Sequence, residues 1–273
     1  MPVIIAATDF TEVAENAVHY ACNLAGKLEA EVVLLHTYSY PVVFSDMTIP
    51  APAIADEQHL AEEQMSKLTG KLRIIYPSLA IRSYIIYGDI EDGIEQFTEK
   101  NEAPMLVVAG NSYTKEDPAW MESTLMQALR NMHYPLLAIP DKTHYSEVTN
   151  ICFAFDNKYE RCDIALVKLR EITSAIGANL HVLIAHTDIT SKEPLPDISK
   201  EAQLLLEPVK PEYRIIYGTH TEETISDYLG QHPMDWLVLI PRHHSFFAGL
   251  FHKSQTRILV NNTNIPLMAL HEN

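Results

Sequence analysis

Cysteine is scarce in this sequence, with three residues in 273: Cys22, Cys152 and Cys162. An odd number without CxxC spacing supports neither a disulfide framework nor a zinc ribbon. No apolar run approaches the roughly 20 residues needed to cross a bilayer. The opening Met1-Pro2-Val3-Ile4-Ile5 leads straight into an apolar strand, without the basic stretch and small-residue cleavage site of a secretory leader. A cytoplasmic protein that does not enter membranes is the expectation. Basic residues are also few: 20 Lys and Arg stand against 36 Asp and Glu, a formal net charge of −16. Such a surplus of carboxylates repels phosphate backbones and anionic lipid surfaces, which argues against nucleic acid or membrane as the main partner. An acidic surface serving solubility accounts for it. Also missing are a GxSxG elbow, a P-loop, an HExxH pattern and paired catalytic acids, so no nucleophile–base constellation is legible.

What the sequence does contain is a repeat. Ile85-Ile86-Tyr87-Gly88 recurs as Ile215-Ile216-Tyr217-Gly218, Leu106-Val107-Val108 as Leu237-Val238-Leu239, and Tyr134-Pro135-Leu136-Leu137-Ala138 as Ile265-Pro266-Leu267-Met268-Ala269. These pairs lie roughly 130 residues apart, the separation expected of duplicated domains rather than short solenoid units. Upstream, Ala7-Thr8-Asp9 is answered by Ala154-Phe155-Asp156, and Leu35-His36-Thr37 by Ala185-His186-Thr187, at a spacing of roughly 150. The spacing drops once, between His186 and Tyr213, which places a shorter connection there. Two tandem copies follow, residues 1–141 and 150–273, joined by a polar linker at 142–149.

Each copy alternates strand and helix. Val3–Thr8, Val32–His36, Ile81–Tyr87, Met105–Ala109 and Leu136–Ile139 are short apolar runs, as expected of parallel strands buried on both faces. Val13–Leu28 sets Ala14, Ala17, Val18, Ala21, Leu24, Ala25 and Leu28 on one helical face, and a helix after Asp56 carries Leu60, Met65, Leu68 and Leu72. The fold class is α/β: two doubly wound, five-stranded parallel sheets with helices on both faces. Tyr40–Ala55, with three prolines, reads as a long loop, and Thr190–Pro196 is its counterpart. Loops of that length are usually functional covers.

In an open parallel sheet, ligands bind beyond the carboxyl ends of the strands. Asp9 and Asp156, His36-Thr37 and His186-Thr187, Gly88 and Gly218, and Gly110 and Pro241 stand at those ends. Their order and repetition resemble the universal stress protein family in its tandem two-domain form. The resemblance rests on Ile-Ala-Ala-Thr-Asp-Phe-Thr, the amphipathic helix after it, Leu-His-Thr, Tyr-Gly and Tyr-Pro-Leu-Leu-Ala-Ile-Pro, and it covers essentially the whole chain. It implies an adenine nucleotide alpha hydrolase-like fold. It also implies that the last strands, Leu136–Ile139 and Leu267–Ala269, pair within one chain as an internal pseudo-dimer covering exposed edges. A homodimer is a further possibility.

Nucleotide-binding members of that family carry Gly-x2-Gly-x9-Gly-Ser/Thr after the fourth strand, where glycines let backbone N–H groups approach phosphate. On the first copy this spacing falls on Gly110, Tyr113, Ser123 and Thr124, and on the second on Pro241, His244, Ser254 and Gln255. The first copy keeps one glycine and the terminal hydroxyls; the second keeps nothing, and Pro241 has no N–H to donate. By the resemblance, a nucleotide in the first copy would be held by Asp9 at the ribose, Thr37 near the base, and Gly110, Ser123 and Thr124 at the phosphates. Asp9 has a second reading, as a cap for the helix after it.

His243, His244 and His252 lack metal-ligand spacing, and Phe246-Phe247 with Leu250-Phe251 reads as a plug for the vacated cleft or as a partner surface. Cys162, at a helix start, raises the idea of a redox-sensing thiol. Three functions stay open. One is a stress-response regulator or scaffold acting through protein partners, with degenerate ATP loops and no certain cofactor. The second is an adenine-nucleotide (ATP) sensor using the first copy. The third is a slow ATPase, which fold alone does not establish.

Overall fold

The computed structural model describes residues 1–38, 51–111, 124–155, 162–186, 199–218, 221–241 and 264–272. The chain divides into two compact units, Met1–Gly110 and Asn111–Asn273.

The first unit runs β1 (Val3–Ala7), α1 (Glu12–Leu28), β2 (Glu31–Tyr38), α2 (Ala51–Ile75), β3 (Ile81–Tyr87), α3 (Ile90–Thr98) and β4 (Leu106–Asn111). Its strand order is β3-β2-β1-β4, all parallel, with Ala7 opposite Leu35 and Ala6 opposite Val108. Ile4, Ile5 and Ala6 are wholly buried, as a central strand covered on both faces requires. Helix α1 buries Ala14, Ala17, Val18, Ala21, Leu24 and Ala25 on one side. It begins at Thr11, whose hydroxyl accepts the Ala14 N–H, and ends at Glu29 in a left-handed conformation. Helix α3 opens with a reciprocal pair of bonds between Asp89 and Asp92.

One expectation is corrected here. Residues 51–55 belong to α2, not to the preceding loop. Pro52 falls in the first turn, where a helix needs no N–H, and the alanines around it favour helix.

The edge strand β3 is tied to its neighbour by Arg82. Its guanidinium forks onto both carboxylate oxygens of Glu31, and Nη1 donates to Asn101 Oδ1 at 3.1 Å and to the Tyr84 hydroxyl at 3.3 Å. The same charge lies 5.8 Å from the Phe97 ring centre.

The second unit contains α4 (Thr124–Asn131), β5 (Leu136–Pro140), β6 (Asn150–Phe155), α5 (Asp163–Ile176), β7 (Asn179–His186) and α6 (Lys200–Leu206). A 3-10 turn (Glu207–Val209), β8 (Glu212–Tyr217), α7 (Thr221–Gln231), β9 (Trp236–Leu239) and β10 (Leu267–Ala269) complete it. The order is β5-β10-β9-β6-β7-β8. The pairs β10–β9, β9–β6, β6–β7 and β7–β8 are parallel. β5 and β10 pair antiparallel, with Leu267 opposite Ala138 and Ala269 opposite Leu136. The two final strands therefore meet within one chain, as the resemblance implied. This pairing also puts the last strand of the first sequence copy inside the second compact unit. The drop in repeat spacing is explained too: the 25-residue α2 is matched by a seven-residue α6.

Asp235 fastens the start of β6 to β9. Its Oδ2 accepts the Thr149 N–H at 2.7 Å, the Asn150 N–H at 2.8 Å and the Thr149 hydroxyl at 3.0 Å. Trp236, next in sequence, is wholly buried. Among the described residues no helix is long and apolar enough to cross a membrane.

Candidate functional site at the strand ends of the first unit

The carboxyl ends of β1, β2 and β4 converge around the start of α1. Carrying the register two residues past Ala7 and Leu35 sets Asp9 level with Thr37, and Val108 opposite Ala6 sets Gly110 level with Thr8. Three residues expected from the sequence thus share one rim.

Asp9 is exposed, and its Oδ1 accepts both the Thr11 N–H at 3.0 Å and the Thr11 hydroxyl at 2.6 Å. Thr11 in turn caps α1. Asp9 therefore steadies the helix start through the capping residue, while Oδ2 makes no hydrogen bond among the described residues. Glu12 and Glu15 occupy the first turn of the same helix. Three carboxylates at a helix N-terminus complement its partial positive charge, and they also repel an incoming phosphate.

Between Asp9 and Thr11, Phe10 adopts a φ of 64°, unusual for a bulky residue and sustained only when its surroundings fix it. The fixing contacts are visible. The Phe10 N–H donates to Thr8 Oγ1 at 3.0 Å, and its ring lies 4.5 Å from the His36 ring. His36 Nδ1 approaches the Thr8 carbonyl at 2.8 Å. A carbonyl only accepts, so Nδ1 carries the proton. His36 is thereby a positioning residue for the β1–α1 turn.

Thr37 faces α3. A Cβ placed on Gly93 would stand 2.8 Å from the Thr37 methyl, so the helix approaches the strand over a glycine. Gly110 is similar: a Cβ there would stand 2.8 Å from the Val13 carbonyl oxygen and 3.0 Å from Val13 Cγ1. Among the described residues the positive-φ glycines are Gly88 and Gly177, so the need at Gly110 is room for α1, not a left-handed backbone.

Ser123 and Tyr113 lie outside the described residues, as does the Thr124 side chain; Thr124 itself opens α4. In the second copy Pro241 is buried just after β9, while Asp156, Thr187, His244, Ser254 and Gln255 lie outside the described residues. So do residues 39–50, Thr190–Pro196 and the loop with His243, Phe246, Phe247, Leu250, Phe251 and His252. Among the described residues no group of three or more His, Cys, Asp or Glu could hold a metal ion. Burial pushes the Cys22 and Cys152 thiols up to about 12. Cys162 is buried at the N-cap of α5 without a side-chain capping bond.

Sequence reasoning missed Thr8, Phe10, Val13 and Gly93. Gly93 carried a usable signal, since glycine inside a helix costs about 1 kcal/mol against alanine and marks a close approach. The left-handed Phe10 carried none.

Comparison with known proteins bears on the family and the fold. The universal stress protein family matches residues 1–140. The chain is similar in structure to a universal stress protein from Archaeoglobus fulgidus, with a TM-score of 0.67 at 13% identity, covering 98% of this chain and 96% of that one. It is also similar to a protein of unknown function from Pseudomonas aeruginosa, with a TM-score of 0.56 at 15% identity over 99% and 92% of the two chains. At such identities these likenesses speak to the fold alone. No curated protein sequence matches the chain. The family match spans half the sequence, over the same strand ends that carry Asp9, Thr37 and Gly110, and the chain belongs to the universal stress protein family.

Proposed function

We propose that this chain is a stress-response regulator or scaffold that works through protein contacts and does not depend on a bound nucleotide. Membership of the family makes it a stress-response protein; the mode of action is the proposal. Its functional copies are residues 1–141 and 150–273, with 142–149 as linker. The observation that carries the reading is Gly110. The one glycine left from the phosphate-loop pattern is accounted for by its packing on the Val13 backbone, so its presence does not require a phosphate. The other two glycine positions hold Tyr113 and Ser123. Each charge-assisted bond to an anion contributes about 1.5–3 kcal/mol, so a loop lacking two close approaches loses orders of magnitude in affinity. The carboxylates Asp9, Glu12 and Glu15 at the rim work in the same direction.

A second reading retains one observation in its favour. Asp9 is an exposed residue whose Oδ2 makes no hydrogen bond among the described residues, so it remains able to receive ribose hydroxyls. In that reading the first copy is an adenine-nucleotide sensor using Asp9, Thr37, Gly110, Ser123 and Thr124. Calorimetric titration of the purified chain with ATP and Mg²⁺ separates the two. The proposal expects no saturable heat and no co-purified nucleotide. Saturable binding lost in Asp9→Ala and kept in Asp156→Ala would establish the sensor. Phosphate release removed by a Thr124 substitution would be required of an ATPase.

A further inference from the structure

Away from the strand ends, the second unit carries an open groove of about 440 Å³ between α6, the 3-10 turn and the start of the edge strand β8. Its floor is apolar and uncovered: Leu204 is 69% exposed and Tyr213 39%. Burial of the rest of the Tyr213 ring pushes its hydroxyl pKa upward. That hydroxyl makes no hydrogen bond among the described residues. Lys200 and Lys210 stand in the same groove, and neither forms an ion pair among the described residues. With Lys200 and Lys210 against Glu207, the groove lining carries a local positive excess in a chain where acids outnumber bases 36 to 20.

The two ammonium groups can only donate, and the phenol both donates and accepts, so a segment bearing carboxylate acceptors complements the groove. The apolar patch between them calls for a side chain to cover it, and Glu207, also lining the groove, excludes a continuous run of carboxylates. A groove this open encloses little of a small molecule, whose sites normally bury most of its surface. It suits a chain segment laid across it.

We infer that the groove formed by Lys200, Leu204, Lys210 and Tyr213 docks an acidic segment of a partner protein, with an apolar residue on Leu204 and Tyr213 and carboxylates at the two lysines. The inference rests on the reading of this chain as a protein acting through partners, and names the chemistry of one partner.

The test is residue-resolved NMR on the full chain, titrated with a short synthetic peptide carrying a central leucine pair flanked by glutamates. The expected result is amide shifts confined to α6, the 3-10 turn and the start of β8. The double substitution Lys200→Glu with Lys210→Glu weakens the interaction about tenfold or more, because it sets two like charges against the glutamates of the peptide. Lys200→Gln with Lys210→Gln gives a smaller loss and guards against misfolding of the first variant. A lysine-flanked control peptide leaves the spectrum unchanged. Absent shifts, shifts indifferent to the lysine substitutions, or equal binding of the control would overturn the inference. So would a chain dimer, seen by sedimentation and abolished by the charge reversal, because the occupant would then be a second copy. Titrating the same sample with ATP and Mg²⁺ keeps the two conclusions apart. Nucleotide binding with an intact peptide response removes the nucleotide-independent reading alone. No response to either ligand removes the groove alone.

Discussion

Gly110 shows how a single residue can belong to a family pattern for a reason other than the family ligand. Its missing Cβ leaves room for the Val13 carbonyl, so Gly110→Ala forces α1 away from β4. Overpacking of this kind costs about 1–3 kcal/mol, and denaturant unfolding of the nucleotide-free protein should register that loss. An unchanged midpoint would show that the packing is slack. The cysteines offer a second check. The unfolded chain loses its thiol protons near the ordinary value of 9.0, while buried Cys22 and Cys152 hold theirs to about 12. Between those pH values the unfolded state binds fewer protons, so stability falls as pH rises, by about 1.4 kcal/mol per unit for each thiol. Denaturation at pH 8 and pH 10.5 should show the fall, and Cys152→Ala should lessen it. A third residue is oversupplied with polarity: Thr173 is wholly buried and its hydroxyl makes no hydrogen bond among the described residues. Thr173→Val keeps the shape and removes the orphan, and should raise the unfolding free energy by about 1 kcal/mol, read as a higher denaturant midpoint.

At the scale of elements, the strands and α1 were legible because buried parallel strands leave apolar runs and α1 leaves a stripe. The observed strands match the sequence expectation within two residues at each end. The start of α2 was misplaced because prolines were taken as loop markers, although Pro52 sits where a helix tolerates it. The rim was half legible. Asp9, Thr37 and Gly110 are brought to one edge as expected, but the Phe10–His36 contact depends on a backbone conformation that side-chain identity does not encode. Edge strand β3 yields a prediction of its own. Arg82→Ala removes the fork on Glu31, which is mostly buried, and frees Asn101 and Tyr84. Because Arg82 is 40% exposed, solvent screening limits the loss to about 1–2 kcal/mol. Hydrogen exchange should rise first along Ile81–Tyr87.

For the molecule as a whole, the sequence copies and the compact units divide the chain differently, and the antiparallel β5–β10 pair is the reason. A fragment of residues 1–141 would lose the partner of Leu136–Pro140 and leave an apolar edge open. Such an edge seeks another strand, so the fragment should self-associate, as sedimentation of fragment and full chain would show; a monomeric fragment would contradict this. The same scale holds the central claim, that a family fold persists here without dependence on the nucleotide. Its most direct test is hydrogen exchange of the full chain, with and without saturating ATP and Mg²⁺, followed at Thr8–Thr11 and Ala109–Asn111. Unchanged exchange at both segments is the expected result. Protection there that disappears in Asp9→Ala would contradict it.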